Sequence, residues 1–342
     1  MLNEFRKIKN WIIPYFFQRL KQGTFSHNPK HVFLCICDHF EPLWEKADQK
    51  KGLDRVKTWC EKYPEIAKKY QDSDGQIPKY TFFYPIEEYK PEYMELLADL
   101  CHRGYSEVEV HLHHDNDTAE NLRKQLIDFK TLLADKYNLL SRDKETKEIQ
   151  YGFIHGNWAL NNCRPDGRMC GVDNELQVLR ETGCYADFTM PSAPDITQPN
   201  IINSIYYADD LLMVQGPLML NWKNRKWGII PRIENGSLSY DCHITRKRIN
   251  LWLKANIHIQ EAPENVFIKL YTHGCQEKNI DYLLNNKGLE DLFSNLKSIS
   301  EELNLKLHYV TAREIVNIVK AIENNVVLGD INTIRDYKLA KI

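Results

Sequence analysis

The chain has 342 residues, and 45 Lys and Arg against 47 Asp and Glu leave a formal net charge of −2. That balance gives no electrostatic basis for binding nucleic acid, and 43% hydrophobic with 27% charged residues excludes a disordered or fibrous chain. Nine cysteines without paired CxxC units cannot make a fully paired disulfide framework, which points to a reducing, cytoplasmic compartment.

At the N-terminus, Arg6-Lys7-Ile8-Lys9 precedes an apolar run from Trp11 to Phe17 that Arg19 and Lys21 close. The run is too short for a signal peptide core with a cleavage site, and no stretch approaches the ~20 apolar residues of a transmembrane segment. It predicts an N-terminal helical extension over residues 1–28. We expect it to pack on the protein; peripheral contact with the inner membrane is the other reading of so basic and apolar a helix.

Eight short apolar runs then read as strands: His31–Cys37, Tyr80–Tyr84, Glu107–His113, Tyr151–His155, Tyr185–Met190, Leu212–Val214, Val266–Thr272 and Lys306–Val310. Between them, apolar spacing of i, i+3, i+4 predicts helices at Leu53–Tyr70, Tyr93–Arg103, Ala119–Asn138, Asn174–Thr182, Thr245–Ile257, Asp281–Leu303 and Ala312–Asn324. Gly104 and Gly183 each follow a helical run where a left-handed residue is wanted, and Thr311 with Glu314 reads as a capping box. Between Pro191 and Arg248 the pattern breaks into Pro, Asn, Tyr and Trp, which predicts an irregular insertion at about 191–248, a loop or hairpin region beside the main domain. Tyr206 and Tyr207 in it read as packing residues. Repeated β–α alternation means parallel strands joined by crossover helices. We therefore expect one α/β domain over residues 29–330, a barrel of about seven or eight strands with irregular decoration. An open doubly wound sheet ranks second, because no Gly-rich phosphate loop follows the first strand.

Active sites of β/α folds lie at the C-terminal strand ends. Six of the 12 histidines fall there: His39, His111, His113, His114, His155 and His273. Imidazoles with a carboxylate suit a divalent metal, with one position left open for water in a catalytic site. His111 and His113, two apart on a strand, share a face, while His114 points away. Asp38 is the expected carboxylate.

Asp38-His39 after the first strand, the histidine cluster after the third and Leu270-Tyr-Thr-His273-Gly after a late strand together resemble the polysaccharide-deacetylase (NodB-homology) superfamily. The blocks His155-Gly-Asn-Trp-Ala-Leu-Asn-Asn-Cys-Arg-Pro-Asp-Gly167 and Gly183-Cys-Tyr-Ala-Asp-Phe-Thr-Met-Pro-Ser-Ala-Pro194 resemble a poorly characterised bacterial branch of it. The resemblance covers roughly residues 30 to 325. It implies a distorted (β/α)7-type barrel that uses one divalent ion, zinc first and nickel, cobalt or manganese as alternatives. It further implies removal of N-acetyl groups from an amino sugar of a surface glycan or its precursor, with carbohydrate as the partner.

The pattern departs from the family in two places. A single Asp38 followed by His39 stands where two adjacent Asp residues are usual, so His39 becomes a ligand if Asp38 is the base, and Cys37 occupies the base position if Asp38 is the ligand. The family's metal histidines lie four apart, whereas His111 is two from His113 and four from Asp115. His39, His114 and Asp115 thus remain alternatives for completing a set that includes Asp38, His111 and His113. His273 matches the family's general acid, and Asp38 or Asp187 is the expected base, with Asp187 equally suited to orienting a ligand histidine. His155, Asn157, Trp158 and Arg164 are expected to position the sugar. A glycoside hydrolase using Asp38 and Asp187 as paired carboxylates, and a glycan-binding protein without catalysis, are the competing readings.

Overall fold

A computed structural model describes residues 2–22, 29–326 and 328–342. All eight expected strands are present, at His31–His39 (β1), Tyr80–Pro85 (β2), Ser106–Leu112 (β3), Ile149–His155 (β4), Cys184–Asp187 (β5), Leu211–Val214 (β6), Asn265–Thr272 (β7) and Lys306–Tyr309 (β8). They form one mostly parallel sheet in the order β7-β1-β2-β3-β4-β5-β6, with Ile205–Ala208 antiparallel on β6. β7 pairs along β1 from His31 to Asp38. A strand has two edges, so β8 and β2 share the other, β8 pairing His31–Leu34 and β2 pairing Cys37–His39.

The helices are Leu2–Gln22 (α1), Gln49–Ala67 (α2), Pro91–His102 (α3), Ala119–Tyr137 (α4), Glu175–Glu181 (α5), Arg246–Ala255 (α6), Gly288–Glu302 (α7) and Ala312–Glu323 (α8), with a short Glu277–Ile280 turn. Their ends follow local chemistry. Asp48 accepts from Lys51 N at 2.8 Å and starts α2 a turn before the apolar periodicity. Gly104 and Gly183 take φ of +86° and +94°, and the Thr311/Glu314 capping box forms. No helix among the described residues is long and apolar enough to cross a membrane.

Alternation along β1 sorts its side chains into two apolar layers. Val32, Leu34 and Ile36 pack in a layer with Trp59 and Tyr63 of α2 and Leu292 of α7, whereas Phe33, Cys35 and Cys37 pack in a second with Val316 and Val319 of α8 and Trp11 of α1. This sorting decides which strand-end side chains can meet.

Two expectations are corrected. The helix expected over Asp281–Leu303 is interrupted: a π-turn at Asp281–Asn285 precedes Lys287 at φ +65°, and α7 starts at Gly288. Strand β5 stops at Asp187 instead of Met190, because Asp187 accepts from its neighbour Thr189 through both backbone N (3.0 Å) and Oγ1 (2.6 Å), a local turn that ends the ladder. The insertion, expected as a loop or hairpin region, holds the strand Ile205–Ala208 and a hairpin of Met219–Lys226 with Ile230–Glu234.

Candidate metal centre

β7 and β1, which are adjacent, and β3, one strand further on beyond β2, deliver His273, His39 and His111 to the second-layer face of the sheet. The His39 ring stacks on His273 at 4.7 Å between centroids and meets His111 edge-on at 5.1 Å; His111 and His113 are 4.5 Å apart. Glu41, two residues beyond His39, turns its buried carboxylate into this group. Its Oε1 lies 3.4 Å from His111 Nε2 and 3.5 Å from His113 Nε2. Donor atoms of Glu41, His111 and His113 all lie within 4.8 Å of one another, as do those of His39, Glu41 and His273.

The far ring nitrogens fix the tautomers. His111 Nδ1 is 2.8 Å from the Ile154 carbonyl, and His113 Nδ1 is 2.6 Å from Glu87 Oε1. A carbonyl or carboxylate oxygen only accepts, so each Nδ1 carries a hydrogen, and in the neutral ring each Nε2 presents a lone pair toward Glu41. His111 Nε2 is buried and makes no hydrogen bond. Ligand atoms 2.0–2.1 Å from a tetrahedral ion lie about 3.3–3.4 Å apart, the spacing seen between Glu41 Oε1 and the two Nε2 atoms. Glu41, His111 and His113 therefore fit a divalent ion.

Charge supports the same fit. Burial pushes the Glu41 carboxyl up, but the facing His111, His273 and His113 outweigh it and hold it below the usual range. At His113 burial acts downward and is outweighed by Glu87 and Glu41, so its pKa is raised. His39 is pushed well down by burial and then by His273 and His111. His273 is also lowered by burial, with Glu41 opposing. The two stacked rings are thus held neutral beside a carboxylate.

Asp38 does not join this group. It neighbours His39 in sequence and so faces the opposite, α2-side layer, where Oδ1 accepts from Gly274 N at 2.6 Å and Oδ2 from Tyr80 Oη at 3.1 Å. Burial holds its carboxyl well above the usual range, with those two bonds opposing. Glu41 supplies the convergent carboxylate instead. Asp187 is also outside the group; burial raises its carboxyl to about 7 against its bonds to Thr189.

Of the residues expected to contact sugar, His155 is fully buried and turns away from the His39 group, toward His114 and Glu175. His114 likewise leaves the first group, as strand alternation requires. Asp115 Oδ1 caps Met169 N at 2.6 Å. Asn157 is exposed and Trp158 half-buried. Both take left-handed φ, 55° and 54°, immediately after Gly156, where a Cβ would collide with the His113 ring. This close approach seats the Asn157–Trp158 turn beside the first group. Arg164 pairs with Asp166 at 3.1 Å and Asp195 at 3.5 Å.

Four residues packed into these groups escape the sequence reading: Glu41, Glu87, Glu175, and Cys170, whose Sγ lies 3.5 Å from Glu175 Oε2. Glu41 carried a usable sign, since it shares the parity of His39. The others approach from loops and a helix start that no local pattern connects to a strand end.

No protein-family model matches the chain, and no curated protein matches it.

Proposed function

We propose that the chain is a metal-dependent hydrolase that removes the N-acetyl group from an amino sugar of a surface glycan or its precursor. The observation that carries the hydrolase is the pair of Nε2 lone pairs, from His111 and His113, aimed at one Glu41 oxygen. The choice of an acetamido sugar rests on the resemblance of the strand-end motifs to polysaccharide deacetylases. A divalent ion, with zinc ahead of nickel, cobalt or manganese, supplies Lewis acidity toward the acetyl carbonyl and lowers the pKa of water when bound.

The chain's own residues divide the remaining work. Glu41, His111 and His113 bind the ion, with Glu87 and the Ile154 carbonyl fixing the two rings. His39, neutral among its neighbours, takes the proton of the attacking water. His273, stacked on it and neutral at rest, takes up a proton from solvent and passes it to the amine nitrogen as the C–N bond breaks, while His39 returns the water's proton to solvent, so the two transfers balance over the cycle. Asn157 and Trp158 meet the sugar ring, and Arg164 borders the same loop. We read the sheet as a distorted barrel, supported by Lys269 of β7, whose Nζ donates at 2.8 Å to the Met190 carbonyl beyond β5.

We place the protein in the cytoplasm, peripheral to the inner membrane. Ile13, Phe16, Phe17 and Leu20 are exposed on α1, which is tied through Tyr15 Oη and Leu220 N (3.3 Å) to a hairpin that exposes Trp222, Trp227 and Ile229 beside Lys226 and Arg225. Co-sedimentation with anionic phospholipid vesicles, lost in Phe17→Glu, supports that placement; no binding to the vesicles contradicts it.

Acetate released from a panel of N-acetylated oligosaccharides by the zinc-reconstituted protein tests the reaction. Acetate without new reducing ends supports it. New reducing ends without acetate favour the glycosidase, and tight glycan binding with neither product favours a non-catalytic binder.

A further inference from the structure

The second convergence of metal-ligating side chains lies on the opposite face of the sheet from His39 and His273. His114 follows β3, His155 ends β4, Cys170 comes from the loop after β4, and Glu175 opens α5. Their donor atoms all lie within 4.8 Å of one another. The His114, His155 and Glu175 side chains are 5%, 0% and 0% exposed, and Cys170 is fully buried.

We propose that His114, His155, Cys170 and Glu175 hold a zinc ion in a closed, structural site that pins the loop between β4 and α5. Ring orientation is the main ground. His155 Nδ1 lies 2.5 Å from the Gly156 carbonyl and His114 Nδ1 lies 3.0 Å from Asp117 Oδ2, so both Nδ1 atoms are donors and both Nε2 atoms turn inward. Those two Nε2 atoms face each other at 2.9 Å, with Glu175 Oε1 at 3.1 and 3.5 Å. A proton between them satisfies one contact; an ion satisfies two imidazoles, a carboxylate and a thiolate together. Two anionic ligands, Glu175 and the Cys170 thiolate, neutralise a divalent charge in a pocket closed to water. Binding releases the Cys170 thiol proton to solvent. The site differs in kind from the Glu41 group, where the His113 side chain is 30% exposed.

The consequence is mechanical. The loop from Gly156 to Asn174 has only two single-turn 3-10 segments, yet it carries Asn157, Trp158 and Arg164. Asn161 N donates to Glu175 Oε2 at 2.6 Å and Asp117 N donates to the Cys170 carbonyl at 3.0 Å. Gly171 sits at φ +98° where a Cβ would lie 2.6 Å from Asp117 N. An ion on Cys170 and Glu175 therefore ties the far end of the loop to His114 after β3 and to His155 at the end of β4. This inference stands apart from the proposed reaction and uses none of its ligands.

Cobalt substitution of the full chain tests it without an activity assay. Thiolate ligation gives a near-ultraviolet sulfur-to-cobalt charge-transfer band that a site of Glu41, His111 and His113 cannot give. We expect the band and about two ions per chain in the wild type. Cys170→Ser should lose the band and about one ion, while His111→Ala should lose about one ion and keep the band. A cobalt-loaded wild type without the band overturns the site even if Cys170→Ser does not fold. A band that persists in folded Cys170→Ser overturns it as well.

Discussion

Glu87 Oε1 accepts a 2.6 Å hydrogen bond from His113 Nδ1 and a 3.2 Å bond from His113 N, so one carboxylate fixes both the ring and the backbone of a proposed metal ligand. Partners of this kind raise the basicity of the imidazole and hold its tautomer. Glu87→Ala should therefore weaken metal affinity by about 10–100-fold and leave the fold intact, since Glu87 is on the surface side of the site. Competition with a calibrated zinc chelator measures this directly. Unchanged affinity would remove Glu87 from the centre.

His273 faces Glu41 and stacks on His39; Asn279 Nδ2 donates to its backbone carbonyl at 3.0 Å, and no hydrogen bond to its ring nitrogens forms among the described residues. That freedom suits a proton carrier better than a scaffold residue. His273→Ala should keep the metal held by Glu41, His111 and His113 and lower turnover by roughly 10²–10⁴. The paired measurements are metal content and acetate release; turnover at the wild-type rate would exclude the role.

Asp38 is a structural carboxyl on the far side of β1. Asp38→Ala should retain metal but leave the buried Gly274 N without its acceptor, a loss on the order of 1–3 kcal/mol by denaturant unfolding. Asp38→Asn should lose less, because an amide oxygen still accepts from Gly274. Loss of metal in a folded Asp38→Asn chain would return Asp38 to the ligand set.

Asp187 makes stability fall with pH in a defined window. Burial raises its folded pKa to about 7, so the native state keeps a proton that the unfolded carboxyl, at about 4, releases. The native state binds more protons between those values, and stability therefore drops as pH rises from about 4 to about 7, then levels. Asp187→Asn preserves the acceptor for Thr189 N and removes the titration. It should gain on the order of 2–4 kcal/mol on the wild type across that window. Parallel pH curves for the two proteins would show that Asp187 titrates normally.

Much of the frame is written locally, because each strand is a short apolar run closed by polar residues and each helix has its own caps. The same alternation that placed His111 with His113 and apart from His114 also separates Asp38 from His39, and it puts Glu41 with His39. Chemical type alone points to Asp38 on β1, whereas parity points to Glu41, the carboxylate that converges with His111 and His113. His155, expected to contact sugar, shares a face with Tyr151 and Phe153, whose layer is buried. Cys170 and Glu175 reach His114 only through a long loop, and no periodicity in the sequence encodes that return. Glu87 meets His113 in the same way, from the turn after β2.

Anomalous diffraction at the zinc edge from crystals of the zinc-reconstituted protein tests the catalytic centre most directly. We predict a peak within about 2.3 Å of His111 Nε2, His113 Nε2 and a Glu41 oxygen. No peak among those three atoms in a saturated crystal would contradict the proposed metal-dependent hydrolase.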